Sequence, residues 1–218
     1  MLKETVYTIP RLGSVDFGCL ITTPAGFDPA KESLPLIVFL HGAGERGTDI
    51  SKLRVHGIAK LFSADPDYKG LRVVTFSPQC PEGSNWNQLA AEVMQLIEYI
   101  CGEYNIDRDR VSLTGLSMGG YGTWELGMQF TDFFSAYAPI CGGASTWRIG
   151  VLRDKPIRVF HGDADDIVPL NNSVEAVEAL CAAGGHPEFT IYPGVGHDSW
   201  TKAYEETDLI EWLAAQKR

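Results

Sequence analysis

The chain has 218 residues, of which 44% are hydrophobic, and a formal net charge of −10 at pH 7. We expect residues 1–218 to form a single domain, since this length suffices to bury a substantial core. The acidic charge argues against the basic surface that a nucleic-acid partner or a polybasic membrane anchor requires. No apolar run approaches the roughly 20 residues of a membrane-spanning helix. We therefore expect no membrane insertion, and the oligomeric state stays open.

Five cysteines are scattered along the chain without a Cys-x-x-Cys pair. An odd number at wide spacing is typical neither of a disulfide framework nor of a zinc site. We therefore expect buried, reduced thiols. Residues 1–5 contain no apolar segment of the kind that a signal peptide needs. The sequence predicts a cytoplasmic protein, with secretion as the alternative if a signal peptide has been removed.

The first predicted elements are two strands, at residues 5–9 and 15–22, which flank a turn at 10–14 and form an antiparallel hairpin. The continuous apolar run at 34–40 predicts a strand that is buried on both faces. The elements that follow are a helix at 50–61, a strand at 71–76 and a helix at 87–104.

The second half of the chain continues the alternation of strands and helices. After a turn at 105–110, the β-favouring run 111–114 predicts a strand, and the spacing of Leu126 and Phe130 predicts a helix. The later elements are strands at 134–140 and 156–160, a helix at 174–182, a strand at 189–192 and a helix at 203–216. This order predicts an α/β fold with a mostly parallel sheet and helices on both faces. It leaves little room for a lid domain.

Between the strand at 111–114 and the helix after it, the chain reads Gly115-Leu116-Ser117-Met118-Gly119. This Gly-x-Ser-x-Gly pattern is typical of a nucleophile elbow, a sharp turn from strand to helix. A Cβ atom two residues before or after the serine would crowd such a turn, and both positions are glycine. Ser117 is therefore the candidate nucleophile, at a helix N-terminus that favours negative charge.

A serine hydroxyl is a weak nucleophile and needs a base within hydrogen-bond reach. His197 is the best candidate, because it follows the last predicted strand, in a loop at the edge of the sheet where such sites assemble. His41 and His161 each end a strand and precede a glycine, so we expect them to support loops. We expect His56 and His186 to be solvated.

The histidine in turn needs a carboxylate to orient it. Three acids compete in the loop after the strand at 156–160, namely Asp163, Asp165 and Asp166. Spacing alone does not choose among them. The chain order of serine, acid and histidine is that of the α/β-hydrolases.

The oxyanion of the reaction needs two hydrogen-bond donors. The elbow pattern assigns one of them to the backbone N–H of Met118, the residue after the nucleophile. The other is expected from the loop after the strand at 34–40, where Gly42, Ala43 and Gly44 allow the backbone to approach a substrate. A phosphate-binding loop is disfavoured, because no Gly-x-x-x-x-Gly-Lys pattern is present.

Five segments in chain order, taken together, are highly specific: 39–47, 78–81, 115–124, 161–169 and 196–200. In these segments the sequence resembles the lidless α/β-hydrolases of the phospholipase/carboxylesterase and dienelactone-hydrolase-like group. It is similar to bacterial proteins described as predicted peptidases or esterases. The resemblance implies that the acid is Asp165, which stands three residues after Gly162. It also implies that Ala43 supplies the second oxyanion donor.

The resemblance implies a serine carboxylesterase that hydrolyses small-molecule esters through an acyl-enzyme, with no metal or cofactor. Because the sequence leaves little room for a lid, we expect an open cleft and short-chain or aryl esters as substrates. The alternatives are a serine peptidase, an acyl-protein thioesterase or lysophospholipase and, much less favoured, a non-catalytic binding protein. Candidate substrate-binding side chains flank the motif loops: Trp86, Trp200, Glu45 and Tyr121, with Trp147 as a weaker candidate.

Overall fold

One mixed β-sheet runs through the computed structural model, which describes residues 1–11 and 13–218. Its strands are β1 (Leu2–Arg11), β2 (Gly13–Thr22), β3 (Leu34–Leu40), β4 (Val74–Pro78), β5 (Ile106–Leu116), β6 (Ala136–Ile140), β7 (Arg158–Gly162) and β8 (Glu188–Tyr192). Their order in the sheet is β1-β2-β4-β3-β5-β6-β7-β8. The β1–β2 and β2–β4 pairs are antiparallel, and the other pairs are parallel. The predicted fold class is confirmed.

Helices cover both faces of this sheet. They are α1 (Gly57–Ala64), α2 (Ala90–Glu103), α3 (Met118–Gln129), α4 (Asn171–Ala182), α5 (Trp200–Glu205) and α6 (Leu209–Ala215). Successive side chains of a strand point to opposite faces. In β3, Val38 lies in the apolar cluster beneath α2, α3 and α4, whereas Ile37 and Phe39 lie in the cluster beneath α1, α5 and α6. The continuous apolar run predicted for this strand is explained by burial on both sides.

Two predicted boundaries in the sheet are wrong. The antiparallel hairpin is longer than predicted, since β1 and β2 extend into the predicted turn; Leu12, at its centre, lies outside the described residues. The predicted turn at 105–110 is mostly the first half of β5, where Ile106 pairs with Leu34. The charged residues of this stretch do not show the apolar pattern that predicts a strand. The strand forms here because it pairs with β3, which lies far away in the sequence.

Two predicted helices are interrupted. In place of a helix at 50–61, a 3₁₀ helix at Ile50–Arg54 precedes α1, and Gly57 has a φ of +59°. A side chain on Gly57 would also meet the Phe39 ring at 2.6 Å. The helix predicted at 203–216 is divided into α5 and α6 by Thr207, whose Oγ1 donates to the Ala203 carbonyl and accepts from the Leu209 N–H.

The cysteine thiols are all free, and no disulfide joins any of the described cysteines. Four are buried as predicted, whereas Cys181 on α4 is exposed. None of the helices that the structure describes combines the length and apolar character needed to cross a membrane.

The turn from β5 into α3 lies in close contact with the end of β3. A Cβ on Gly119 would overlap the Leu40 carbonyl and lie 2.9 Å from the His41 oxygen. A Cβ on Gly115 would overlap the Gly119 carbonyl and lie 2.7 Å from the Leu40 oxygen. Backbone atoms block both positions, so no side-chain movement relieves the overlap, as the elbow pattern predicted.

We expect Gly119→Ala to lower the free energy of unfolding by about 1–3 kcal/mol or more, since strands must shift to admit the methyl group. Gly102→Ala in α2 is the matched control, because no atom lies within 4 Å of a Cβ built there. The control should be neutral or gain up to about 1 kcal/mol. Urea unfolding of both variants measures this, and equal stabilities would contradict the close approach.

Candidate active site

Ser117 is held in a strained conformation between β5 and α3. Its φ of 53° and ψ of −118° are rare for a residue with a side chain. The neighbouring backbone fixes this geometry, because the Ser117 N–H donates to the Ile140 carbonyl at 2.9 Å and the Tyr121 N–H donates to the Ser117 carbonyl at 3.1 Å. The hydroxyl therefore projects from the carboxyl edge of the sheet.

Ser117, His197 and Asp165 lie in one hydrogen-bonded line. The Ser117 Oγ is 2.9 Å from His197 Nε2, and His197 Nδ1 is 2.8 Å from Asp165 Oδ2. A carboxylate only accepts hydrogen bonds, so Nδ1 carries the proton of a neutral ring. Nε2 is then able to accept the serine proton, which is the arrangement that a general base requires.

Of the three competing acids, Asp165 is the one that reaches His197. Its carboxylate also accepts the N–H groups of Ile167 at 3.0 Å and Val168 at 2.9 Å. Burial raises the pKa of Asp165, but the bonds from His197 and the two N–H groups outweigh this effect. The pKa therefore lies below its ordinary value, and the group is a carboxylate at neutral pH.

The other two acids have different surroundings. Asp163 is exposed and accepts the Gly194 N–H at 2.6 Å, which ties it to the loop that carries His197. Asp166 is exposed as well. Neither of them is the carboxylate bonded to the His197 ring.

His161 supports the loop of Asp165, as predicted. Its fully buried ring lies 2.7 Å from the Ser173 hydroxyl through Nδ1 and 2.8 Å from the Val168 carbonyl through Nε2. Nε2 is also 3.2 Å from the Asp165 carboxylate. The histidine thus fixes both ends of the segment from Asp165 to Val168.

His41 fixes the loop proposed to hold the oxyanion. Its Nε2 accepts the Cys80 N–H at 2.9 Å, so the proton is on Nδ1, which donates to the Gly42 carbonyl at 2.6 Å. This bond sets the plane of the Gly42–Ala43 peptide and so the direction of the Ala43 N–H. Trp86 secures the same loop by donating from Nε1 to the His41 carbonyl at 2.9 Å.

Two N–H groups are available near Ser117. Among the described residues, the Ala43 and Met118 N–H groups donate to no backbone carbonyl. A Cβ built on Gly42 would lie 3.7 Å from the Ser117 Cβ, so the loop and the nucleophile are adjacent. The assignment of these N–H groups to an oxyanion hole stays a prediction.

A cavity of about 280 Å³ surrounds the Ser117–His197 pair. Trp200, which is 8% exposed, forms one wall with its ring centroid 5.2 Å from that of His197. His56 lies 5.3 Å from Trp200 on the other side and also lines the cavity. The His56 side chain is 35% exposed, so it keeps contact with solvent as predicted, but its contact with Trp200 on a helix far along the chain left no signal in the sequence.

The four predicted substrate-binding side chains have different positions. Glu45 and Trp200 line the Ser117 cavity. Tyr121 does not line that cavity but a separate polar cavity of about 230 Å³, where its hydroxyl donates to Asn172 Oδ1 at 3.1 Å. Trp86 is 0% exposed, so the prediction that it contacts substrate is wrong, and its ring packs against His41 instead.

Two further residues at the site were not predicted. Ile167, an exposed apolar side chain beside Asp165, lines the cavity. The Cys141 sulfur lies within 4.8 Å of ligand atoms of Asp165 and His197, a spacing that would suit a metal. Burial raises the pKa of this thiol to about 12, and a protonated thiol is a poor ligand. Asp165 and His197 are therefore better explained by their hydrogen bonds to each other and to Ser117 than as metal ligands.

The chain is similar to known hydrolases in sequence and in structure. A family model described as phospholipase/carboxylesterase matches residues 71–209. A bifunctional acetylxylan esterase/xylanase of Neocallimastix patriciarum is 33% identical over 145 residues, which is 62% of this chain and 20% of that protein. Acyl-protein thioesterase 1 of Gibberella zeae is 25% identical over 232 residues, covering 86% of this chain and 92% of that protein.

A solved structure described as a thermostable esterase superposes with a TM-score of 0.89 at 36% identity. The match covers 99% of this chain and 63% of that chain. This chain thus spans only part of the length of that esterase and one fifth of the acetylxylan esterase/xylanase.

We expect Asp165→Asn to slow the reaction of Ser117 with a fluorophosphonate probe by roughly 10³- to 10⁴-fold, because an amide orients the wrong tautomer of His197. Asp166→Asn is the matched control on an exposed neighbour and should react like the unmodified chain. Asp163→Asn, which keeps an oxygen for the Gly194 N–H, should lose far less than Asp165→Asn. Similar losses in all three variants would show that Asp165 is not the acid.

The labelling rate should also fall on acidification, because a protonated His197 no longer accepts the Ser117 proton. The lowered pKa of Asp165 keeps this carboxylate ionised to a lower pH than an ordinary aspartate. Its contribution to stability is present above its unfolded pKa and is lost only as the pH falls through the lower folded value. The inactivation should therefore involve one proton and reverse on neutralisation. A labelling rate that does not change with pH, or one that falls only where the protein unfolds, would contradict a histidine base.

Proposed function

We propose that the chain, which belongs to the phospholipase/carboxylesterase family, is a serine carboxylesterase that hydrolyses short-chain or aryl carboxylic esters. The observation that carries this proposal is the line from Ser117 through His197 to Asp165, at 2.9 and 2.8 Å. It lies in a cavity at the carboxyl edge of the sheet.

In the first step, the Ser117 oxygen attacks the ester carbonyl while His197 Nε2 takes its proton. The carbonyl oxygen becomes an oxyanion that accepts hydrogen bonds from the Met118 and Ala43 N–H groups. Asp165 stabilises the imidazolium. His197 then returns the proton to the leaving alcohol as the carbon–oxygen bond breaks.

In the second step, a water molecule attacks the acyl-enzyme and gives its proton to His197. The second oxyanion occupies the same two donors, and the acid leaves when Ser117 recovers its proton. Apart from the ester and this water, the groups used in the two steps are side chains and backbone N–H groups of this chain.

The size and walls of the site support small acyl groups. The cavity beside Ser117 measures about 280 Å³ and has the Trp200 and His56 rings as walls. These rings suit a short aliphatic or an aromatic group, whereas a long acyl chain would need a larger apolar pocket. Trp200 and Glu45 are thus the substrate-binding candidates in this cavity, and Tyr121 remains a candidate only for a group bound in the separate cavity that it lines.

Hydrolysis of a thioester is the second candidate, favoured by the similarity to an acyl-protein thioesterase over 92% of that protein's length. The same triad chemistry would also cleave a peptide amide.

We further propose that residues 1–218 work as one domain and that the protein functions in the cytoplasm, consistent with its free thiols.

Ser117→Ala should reduce hydrolysis of 4-nitrophenyl acetate by about 10⁴-fold or more, since the nucleophile is lost, while the circular dichroism spectrum stays unchanged. Ser84→Ala, in a neighbouring loop, is the matched control and should keep full activity. A panel of acetyl, butyryl, octanoyl and aryl esters, an acyl thioester and a peptide amide then ranks the candidates. Turnover that persists in Ser117→Ala would contradict the proposal.

A further inference from the structure

Ile167 presents an exposed apolar side chain in the wall of the Ser117 cavity. It is 67% exposed, whereas Trp200 in the same wall is 8% exposed and Leu116 is 1% exposed. Single exposed apolar side chains are common on protein surfaces, but this one lies in the cavity that holds the candidate nucleophile. A ligand in this cavity therefore finds in Ile167 an apolar side chain that folding has left uncovered.

The backbone beneath Ile167 is fixed. Its N–H donates to Asp165 Oδ1 at 3.0 Å, and the Val168 N–H donates to the same oxygen at 2.9 Å. The Val168 carbonyl in turn lies 2.8 Å from Nε2 of the His161 ring. A β-branched side chain on a fixed backbone also has few rotamers. Ile167 therefore loses little conformational freedom when a ligand covers it, which favours binding there.

Proton transfer decides which part of the ester lies nearest to Ile167. His197 Nε2 returns its proton to the leaving alcohol, so the leaving oxygen must come within about 2.6–3.2 Å of that nitrogen. Asp165 bonds the same ring at 2.8 Å through Oδ2 and bonds the Ile167 N–H through Oδ1. Ile167 therefore lies on the His197 side of the cavity, where the alcohol departs.

We propose that Ile167 is a specificity-determining residue that packs on the leaving alcohol and selects esters of apolar alcohols, alkyl or aryl, over esters of polar alcohols. This inference rests on the proposed esterase function. An apolar alcohol gains by removing its own surface and that of Ile167 from water. A polar alcohol of the same size gains less, because its oxygen loses water against a side chain that offers no hydrogen bond.

The test places the same pair of substituents on either side of the ester. Butyl acetate and 2-methoxyethyl acetate differ in the alcohol, and methyl pentanoate and methyl 3-methoxypropanoate differ in the same way in the acyl group. In each pair an ether oxygen replaces a methylene, so the polarity changes while the size is kept. Values of kcat/KM come from a pH-stat, and each is divided by the rate of alkaline hydrolysis of the same ester.

We expect the natural chain to prefer butyl acetate over 2-methoxyethyl acetate, and Ile167→Ala to reduce this preference about threefold or more, because most of the apolar contact is removed. Ile167→Leu keeps the apolar volume and should retain the preference. Ile191→Ala is the matched control, because it makes the same truncation in a 41% exposed side chain of β8 that does not line the cavity.

An alcohol preference that is unchanged in Ile167→Ala overturns the inference. A fall in the acyl pair as large as the fall in the alcohol pair also overturns it, since Ile167 would then not act on the alcohol. Circular dichroism verifies that Ile167→Ala is folded; if it is not, Ile167→Thr, which keeps the β-branch but adds a hydroxyl, replaces it and should lower the same preference.

The same measurements separate this inference from the proposed function. Turnover that depends on Ser117 but shows no alcohol preference refutes only the role of Ile167. Absence of turnover with every ester refutes the proposed function itself.

Discussion

The close approach of the β5–α3 turn to the end of β3 is the constraint on which the candidate site depends. Gly119 lies so near the Leu40 and His41 carbonyls that any side chain would overlap them. This contact places Ser117 beside the loop at Gly42 and Ala43, and all three residues line one cavity. The positive φ of Ser117 is unfavourable by roughly 1–3 kcal/mol. Pairing of β5 with both β3 and β6 sustains it.

Two buried histidines hold the loops that surround this turn. His41 connects the loop after β3 to the Cys80 backbone, and His161 connects the Asp165 loop to Ser173. Buried polar groups are stable when their hydrogen bonds are satisfied, and such networks stiffen the backbone around them.

Much of the fold followed from local pattern. The apolar run of β3, the glycines of the elbow and the alternation of strands and helices required only the preferences of neighbouring residues. Two of the errors share one cause, which is that the deciding partner is distant in sequence. β5 begins at Ile106 because Leu34 of β3 pairs with it, and Gly57 stands at the start of α1 because the Phe39 ring leaves no space there for a side chain.

The sequence by itself determined the fold class, the turn that presents Ser117 and the order of serine, acid and histidine. Each of these follows from short local segments and from the order of those segments along the chain. Spacing left three aspartates open, and the resemblance to a family pointed to Asp165. Only the tertiary structure decided which side chains share the cavity. It packed the Trp86 ring against His41, brought His56 against Trp200 and placed Glu45 in the wall of the Ser117 cavity. These relations join residues that are distant along the chain, and packing of α1 and α5 on one face of the sheet brings them together.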